Sequence, residues 1–497
     1  MHEMRRRVTA VVLLIALVLV AGFIAYTRPW MTRVVVFSTN DMEELVNTLK
    51  GDIEHRDMFT TLEVKLFDGE QLVSTVLSGQ EADLILVGDY GLIRRLYDEG
   101  VVDWYVKFAS KNGEACGLAV VSDAKHLSQA MECVSLILGG EYDTVIESLG
   151  FTPLNPAQGF GEVPEELKTV VVEYRTVVDM AGREVTLPKH VGRVVSIVPM
   201  LTIIVHLVGG QDLLVGIDQI SPTSEFLAKL NPEIRNLTVV GVPWSVNEEV
   251  ILSLQPDVVL TLDTPREVVD RFEELGLNVV CIPMASIGCG DFPKAIRLIG
   301  EVLGREEQAE ELASYYETRL TEILNVTSKI PRSERVRVYV AMQDGLKTHR
   351  TYLTMSIVEA AGGLNVAENL TGYAGAGGPP IASVSMETLL TWNPQVILAF
   401  DPQVKETILS DPRWMAIDAV RNGRIYVIPR GLRSWILPEP ESILGVMWLA
   451  EKLYPDKFHF DLETEVKQFY QRFLGYEVSE EELAKILSGE YGVTVPG

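Results

Sequence analysis

The chain has 497 residues, enough for two to four domains, and an apolar content of 47% that can fill real cores. Lys and Arg number 43 against 69 Asp and Glu, a formal charge of −26, which excludes a nucleic-acid partner because its phosphates would be repelled at long range. A small anion is not excluded, since two or three local donors outweigh a distant field.

Arg5, Arg6 and Arg7 precede an uncharged run from Val8 to Tyr26. As a helix this run spans about 28 Å, close to the roughly 30 Å hydrocarbon layer. Residues 1–30 are therefore expected to form a cytoplasmic stub and a single-pass transmembrane anchor, with a cleaved signal as the alternative. The basic flank stays inside, so the globular part is expected to be extracellular or periplasmic. No Cys follows the run, which leaves no site for lipoprotein processing. Cys116/Cys133 and Cys281/Cys289 each lie within one segment, and are either disulfides or buried free thiols.

Residues 31–158 alternate strands and helices: Arg33–Phe37, Leu62–Phe67 and Ala82–Val87 are strands, each followed by a helical pattern. The stretch from Asp89 to Gly117, DYGLIRRLYDEGVVDWYVKFASKNGEACG, and the later GFTPLNPA resemble tungstate/molybdate-binding proteins of archaeal transporters. Only one lobe of that two-lobed family is present. The resemblance implies a possible minor oxyanion site at Ser38, Thr39, Asp68, Gly69 and Tyr90, although Asp68 is an awkward neighbour for an anion. A relic, spacer or docking module is the other reading. Gln158 to Gly161 reads as the start of a linker over 159–176.

A second architecture fills the rest. Val177–Pro188 reads as a hairpin around Ala181-Gly182, and Val194–Val198, Leu213–Ile217, Val239-Val240, Val258–Leu262 and Val279–Ile282 are apolar runs of the kind found in a covered parallel sheet. These define a first lobe over 177–290. Residues 291–329 lack proline after Pro293 and keep a helical apolar period with a break near Gly304, predicting a bridging helix of roughly 50 Å. A second lobe with C-terminal helices follows over 330–488, and 489–497 is a tail. The element Val246–Leu262, VNEEVILSLQPDVVLTL, recurs as Ala382–Phe400, ASVSMETLLTWNPQVILAF: an acidic helix, a Pro-containing turn and a buried strand, once per lobe. The expected fold class is α/β, with two Rossmann-like lobes bridged by a long helix, preceded by a smaller α/β domain and an N-terminal transmembrane helix.

The ordered elements DMAGREVTLP, RVVSIVP, VNEEVILSLQPDVVLT, AAGGLNVAEN, VSMETLLTWNPQVILAF and GRIYVIPRG resemble the helix-bridged substrate-binding proteins of ABC importers, from about Val177 to Leu487. That family takes iron chelates, haem, cobalamin and, in one branch, molybdate or tungstate. The resemblance implies an ABC permease and its ATPase as partners, acidic docking residues for which Glu225 and Glu359 are the choices, no cofactor and a monomer.

In paired α/β lobes the loops at the carboxyl ends of strands face the ligand. This selects Met200, Thr202 and Trp244 from the first lobe, and His349, Arg350, Tyr352, Arg430, Arg433 and Trp435 from the second. Arginine forks suit oxygen-rich anions, but Arg430 and Arg433 could equally pair with Glu439 or Glu441. Thr202 sits where a helix start could offer free amides. Trp244 and Trp435 are large enough to wall a planar macrocycle or simply to pack. The arginines and the His349 loop favour a molybdate/tungstate-type oxyanion; an iron chelate, haem or cobalamin in the same cleft is the alternative, and a non-transport surface sensor or interaction protein is another. No G-x-G-x-x-G unit, phosphate loop, H-E-x-x-H helix or nucleophile elbow is present, so no enzyme activity is expected.

Overall fold

The computed structural model of the protein describes residues 32–56, 60–111, 114–263, 265–283, 287–349, 352–370, 381–437 and 439–491. The chain divides into two compact units, 1–175 and 176–497.

In the first unit, β1 (Thr32–Thr39) lies between β2 (Thr60–Phe67) and β3 (Leu84–Val87), both parallel to it. The sheet continues through antiparallel β5 (Glu114–Val120), β4 (Trp104–Lys111) and β6 (Thr152–Gly161). Successive residues of β1 point to opposite faces. Val34 and Val36 therefore enter one core, with Leu45 and Leu49, while Phe37 enters another, with Leu72 and Ile85. The expected linker is corrected here. Residues 158–161 complete β6, and β7 (Val171–Val178) pairs with it from Val171. Gly159 allows this because a Cβ there would stand 2.5 Å from Val171, and Phe160 stacks on Tyr105 with ring centroids 4.9 Å apart.

In the second unit β7 turns at Asp179, whose carboxylate accepts from Ala181 and Arg183 amides, into β8 (Glu184–Pro188). The first-lobe sheet has six strands: β9 (Val194–Ser196), β10 (Leu214–Asp218), β11 (Thr238–Val242), the short antiparallel β12 (Ser245–Val246), β13 (Val258–Leu262) and β14 (Val279–Ile282). Their order, β12-β11-β10-β9-β13-β14, reverses direction at β9. The second-lobe sheet comprises β15 (Arg337–Ala341), β17 (Leu364–Asn365), β19 (Val396–Ala399) and β20 (Ile425–Val427), ordered β17-β15-β19-β20 and reversing at β15. β16 (Lys347–His349) pairs with β18 (Ile381–Ser383) beside it.

The bridge differs from a single rod. Phe292–Leu303 is one helix, Gly304 ends it with φ 64°, and Glu306–Thr327 is the long helix, of 22 residues and about 33 Å. The two fold back on each other. Arg297 on the first reaches both Glu310 at 2.6 Å and Glu317 at 2.7 Å on the second, and Gly300 lets the backbones close around Ala309. The two α/β lobes are bridged by this long helix as expected, and it packs against both of them. One core runs from Val194 and Ile197 of the first lobe through Tyr316 of the long helix to Val338 and Val396 of the second and Met447 of a C-terminal helix. The four cysteines are buried free thiols.

The N-terminal anchor is also corrected. No helix among the described residues is long and apolar enough to cross a membrane, and the run Val8 to Tyr26 on which the anchor rested lies outside the described residues. The expected single-pass attachment, with the localisation and membrane partner that rested on it, therefore finds no support among the described residues.

Candidate ligand-binding site

The reversal points of the two sheets, at β9 and β15, are where strand-end loops open a crevice in doubly wound folds. From the second lobe, the chain leaving β20 forms a largely buried loop, described over residues 430–437 and 439–441, that touches both lobes. Ser224 Oγ of the first lobe donates to the Leu432 carbonyl at 2.8 Å, and Thr354 Oγ1 of the second donates to that of Ile436 at 3.2 Å.

Arg430 is 8% exposed, although its charge would ordinarily keep it in water. Its amide is fixed by the Ile486 carbonyl at 2.8 Å, and its guanidinium lies 5.0 Å from the centre of the Phe400 ring. Burial lowers its affinity for a proton, Asp401 opposes that, and Arg433 adds to it. Among the described residues, Arg430 Nε has no hydrogen-bond partner. Arg433 instead donates through Nη1 to Glu439 Oε1 at 2.7 Å.

Trp435 is 1% exposed and donates from Nε1 to Glu441 Oε1 at 2.9 Å, so it packs rather than forming a wall. Tyr470 donates to the same oxygen. Gly431 is required beneath this pair, since a Cβ there would fall 2.0 Å from Glu441 Oε1. Burial pushes the Glu439 carboxyl up to about 8 against the pull of Arg433, with Glu441 and Asp218 adding to the rise. Glu441 is pushed up to about 7 by burial, opposed by its bonds from Tyr470 and Trp435.

Other expected residues are committed elsewhere. Met200 and Thr202 are buried in the helix Pro199–Leu207. The Thr202 amide donates to the Val198 carbonyl at 3.0 Å, and its hydroxyl lies 2.9 Å from both Ser196 Oγ and Asp218 Oδ2. The amide expected to be free for an oxyanion is therefore used inside the lobe. Trp244 is 70% exposed in the β11–β12 turn. His349 pairs through its backbone with Ile381, while Arg350 and the side chains of His349 and Tyr352 lie outside the described residues. Glu225 and Glu359 are exposed on helices of the first and second lobes.

In the first unit, the minor-site residues serve the fold. Ser38 Oγ donates to the Leu86 carbonyl, Thr39 Oγ1 accepts from the Gly88 amide, and Asp68 caps the helix Gly69–Leu77 by accepting from Gln71. The adjoining hollow, about 540 Å³, is lined by Asp41, Asp68, Glu70 and Asp89. Four carboxylates disfavour an anion there, and Tyr90 is covered by Lys107, 3.8 Å from its ring centre.

Sequence reading passed over Ser434, Phe400 and Asp218, and took Glu439 and Glu441 only as salt-bridge partners. An acid flanked by prolines before a helix reads as a solvated cap; the neighbouring Leu-Pro and the apolar helix Ser442–Leu453 were the available signs of burial.

The family model for periplasmic binding protein matches residues 194–431. The chain is 30% identical over 328 residues to the molybdate-binding protein MolA of Haemophilus influenzae, covering 60% of this chain and 90% of that one. A cobalamin-binding protein of Halobacterium salinarum is 26% identical over 223 residues, 44% of this chain and 57% of that one. Among solved structures, a periplasmic solute binding protein from Veillonella parvula superposes with a TM-score of 0.56 at 27% identity, covering 64% of this chain and 98% of that one. Haemophilus influenzae MolA bound to molybdate gives 0.54 at 29% identity, covering 61% and 99%.

Proposed function

Given that the chain belongs to the periplasmic binding protein family, and is thus the extracytoplasmic solute-binding component of an ABC importer rather than an enzyme, we propose that its cargo is a tetrahedral oxyanion of the molybdate and tungstate kind, held at Arg430. The observation that carries this reading is the buried guanidinium with a free Nε at a strand end of the second lobe. A buried arginine without a carboxylate bonded to it is a strong anion receptor, because a charge-assisted bond made away from water is little screened. The likeness to MolA supports the same choice.

Binding occurs between the lobes, and the shared core limits the accompanying motion to a small adjustment. The loaded form then meets the permease through acidic surface residues, Glu225 on the first lobe and Glu359 on the second. A cobalamin or haem needs a broad apolar wall, and burial of Trp435 and Met200 argues against it.

Calorimetric titration of the protein with molybdate, tungstate, sulfate, a ferric chelate and cobalamin tests the proposal. Molybdate or tungstate should bind, and Arg430→Ala should weaken it by about 30-fold or more, the loss of roughly 2 kcal/mol or more in charge-assisted bonding. Saturable binding of cobalamin or the chelate, with none of the oxyanions, would overturn it.

A further inference from the structure

Among the described residues, six buried side-chain nitrogen or oxygen atoms have no hydrogen-bond partner in the protein, and three of them, Arg430 Nε, Ser434 Oγ and Glu439 Oε2, belong to one loop. Their residues are 8%, 2% and 1% exposed. A buried polar atom left unbonded loses its hydration without replacement, so such a concentration points to a group from outside the chain. Arg430 and Ser434 pair across a backbone bridge. Arg433 takes only Oε1 of Glu439, leaving Oε2 available.

The charge around Glu439 is mixed. Arg433 and Glu441 act on it from its own loop, and Asp218 from the end of β10. Asp401 and Arg433 act on Arg430. An ionised Glu439 would present a second acceptor to an oxyanion that already lacks protons, and a like charge besides. A protonated Glu439 presents a donor.

We infer that Glu439 enters the ligand site as a neutral acid, donating from Oε2 to an oxyanion oxygen while Arg430 and Ser434 donate to others, so that a tetrahedral dianion binds together with one proton taken from solvent. The inference rests on the oxyanion reading above and adds a proton to it. No heavy-atom bond changes: well below about pH 8 the carboxyl already carries the proton, and above it the proton moves from water or buffer to the carboxylate on binding and leaves when the ligand does. Burial and the neighbouring carboxylates agree with this assignment, since they push the group up to about 8.

The experiment is calorimetry of the full chain with sodium molybdate, in pairs of buffers that differ in ionisation enthalpy, at about pH 7 and about pH 9. Proton uptake should approach one per molybdate at the higher pH, and the Kd should rise by roughly tenfold per pH unit above the Glu439 titration. Glu439→Gln, which keeps a neutral donor, should bind without proton uptake and with a Kd independent of pH. Should that variant fail to fold, the buffer dependence of the unmodified protein decides alone. Molybdate binding with no proton uptake at either pH would overturn the inference and leave the oxyanion reading standing. No molybdate binding at any pH would overturn both.

Discussion

Arg193 and Arg337 stand in matching places in the two lobes. Arg193 precedes β9 and donates through Nε and Nη2 to the Leu254 carbonyl at 3.0 and 2.6 Å; Arg337 opens β15 and donates through the same nitrogens to the Asn393 carbonyl at 3.1 and 3.0 Å. Each carbonyl ends the helix that leads into the parallel neighbour, β13 or β19. The turn repeats too: Gln255, whose carbonyl also accepts from Arg193 Nε at 3.2 Å, and Asn393 itself each stand just before a proline with φ of 46° and 41°. A helix end leaves carbonyls without intrahelical partners, and a fixed guanidinium satisfies one of them at each site. Arg337→Ala should therefore destabilise the protein by about 1–3 kcal/mol and leave ligand affinity unchanged. Urea unfolding alongside calorimetric titration checks both halves of that expectation.

The helical hairpin offers a steric counterpart. A Cβ built on Gly300 would lie 2.1 Å from that of Ala309 on the long helix, with the Arg305 carbonyl 3.1 Å away. Neither neighbour is the end of a flexible side chain, so the helices must separate. Gly300→Ala should cost about 1–3 kcal/mol although alanine favours helices, whereas alanine at the exposed Glu301 should be nearly neutral. Thermal melts of the two variants give the comparison.

These contacts also explain what was legible in advance. The repeated helix–Pro-turn–strand unit could be read because its apolar runs and caps are local; Asn247 and Ser385 cap the two helices by accepting from Val250 and Thr388. The strands of both lobes follow from runs buried on both faces. The hairpin at Gly304 was visible only as a break in period, because a left-handed glycine can end a helix or merely interrupt it, and the Arg297 ion pairs that close the turn are set by tertiary structure. At the site, Arg430 was selected by topology. The burial of Glu439 and Glu441 was not, because it depends on Tyr470 and Asp218, distant in sequence, meeting one loop.

The buried acids give stability a specific pH dependence. Glu439 and Glu441 are raised to about 8 and about 7 from an ordinary 4.5, each mainly by burial. The folded protein thus binds protons more tightly than the unfolded chain does. Their contribution is complete below about pH 4.5 and is lost as pH rises through about 7 and 8. Glu482 does not blur this window: its bonds from Lys229 and Tyr476 outweigh burial and hold it at about 2, so its own contribution is lost only on acidification below its unfolded value. Stability should fall by roughly 5 kcal/mol between pH 5.5 and pH 9, about 1.4 kcal/mol per pH unit for each group while it is protonated only in the folded state, and Glu441→Gln should flatten part of the slope. Denaturant titrations across that range would detect it.

Docking on the permease can be tied to the same loop. Glu225 follows Ser224, whose hydroxyl holds the Leu432 carbonyl, and Glu359 lies on the helix Tyr352–Ala360, whose Thr354 holds that of Ile436. Glu225 is thus the neighbour of, and Glu359 shares a helix with, a residue hydrogen-bonded to the segment that carries Arg430 and Glu439. On the proposed oxyanion reading, a ligand that settles this loop would also bias the spacing of two exposed charges on opposite lobes, a difference that a receptor for the loaded form could sense. Glu225→Arg and Glu359→Arg should each leave molybdate affinity within about twofold, since charges exposed to water are screened, yet reduce ligand-stimulated ATPase activity of the reconstituted importer by about tenfold through like-charge repulsion. The double variant should be inactive in transport. Equal stimulation by the unmodified protein and the double variant would show that these residues do not meet the permease.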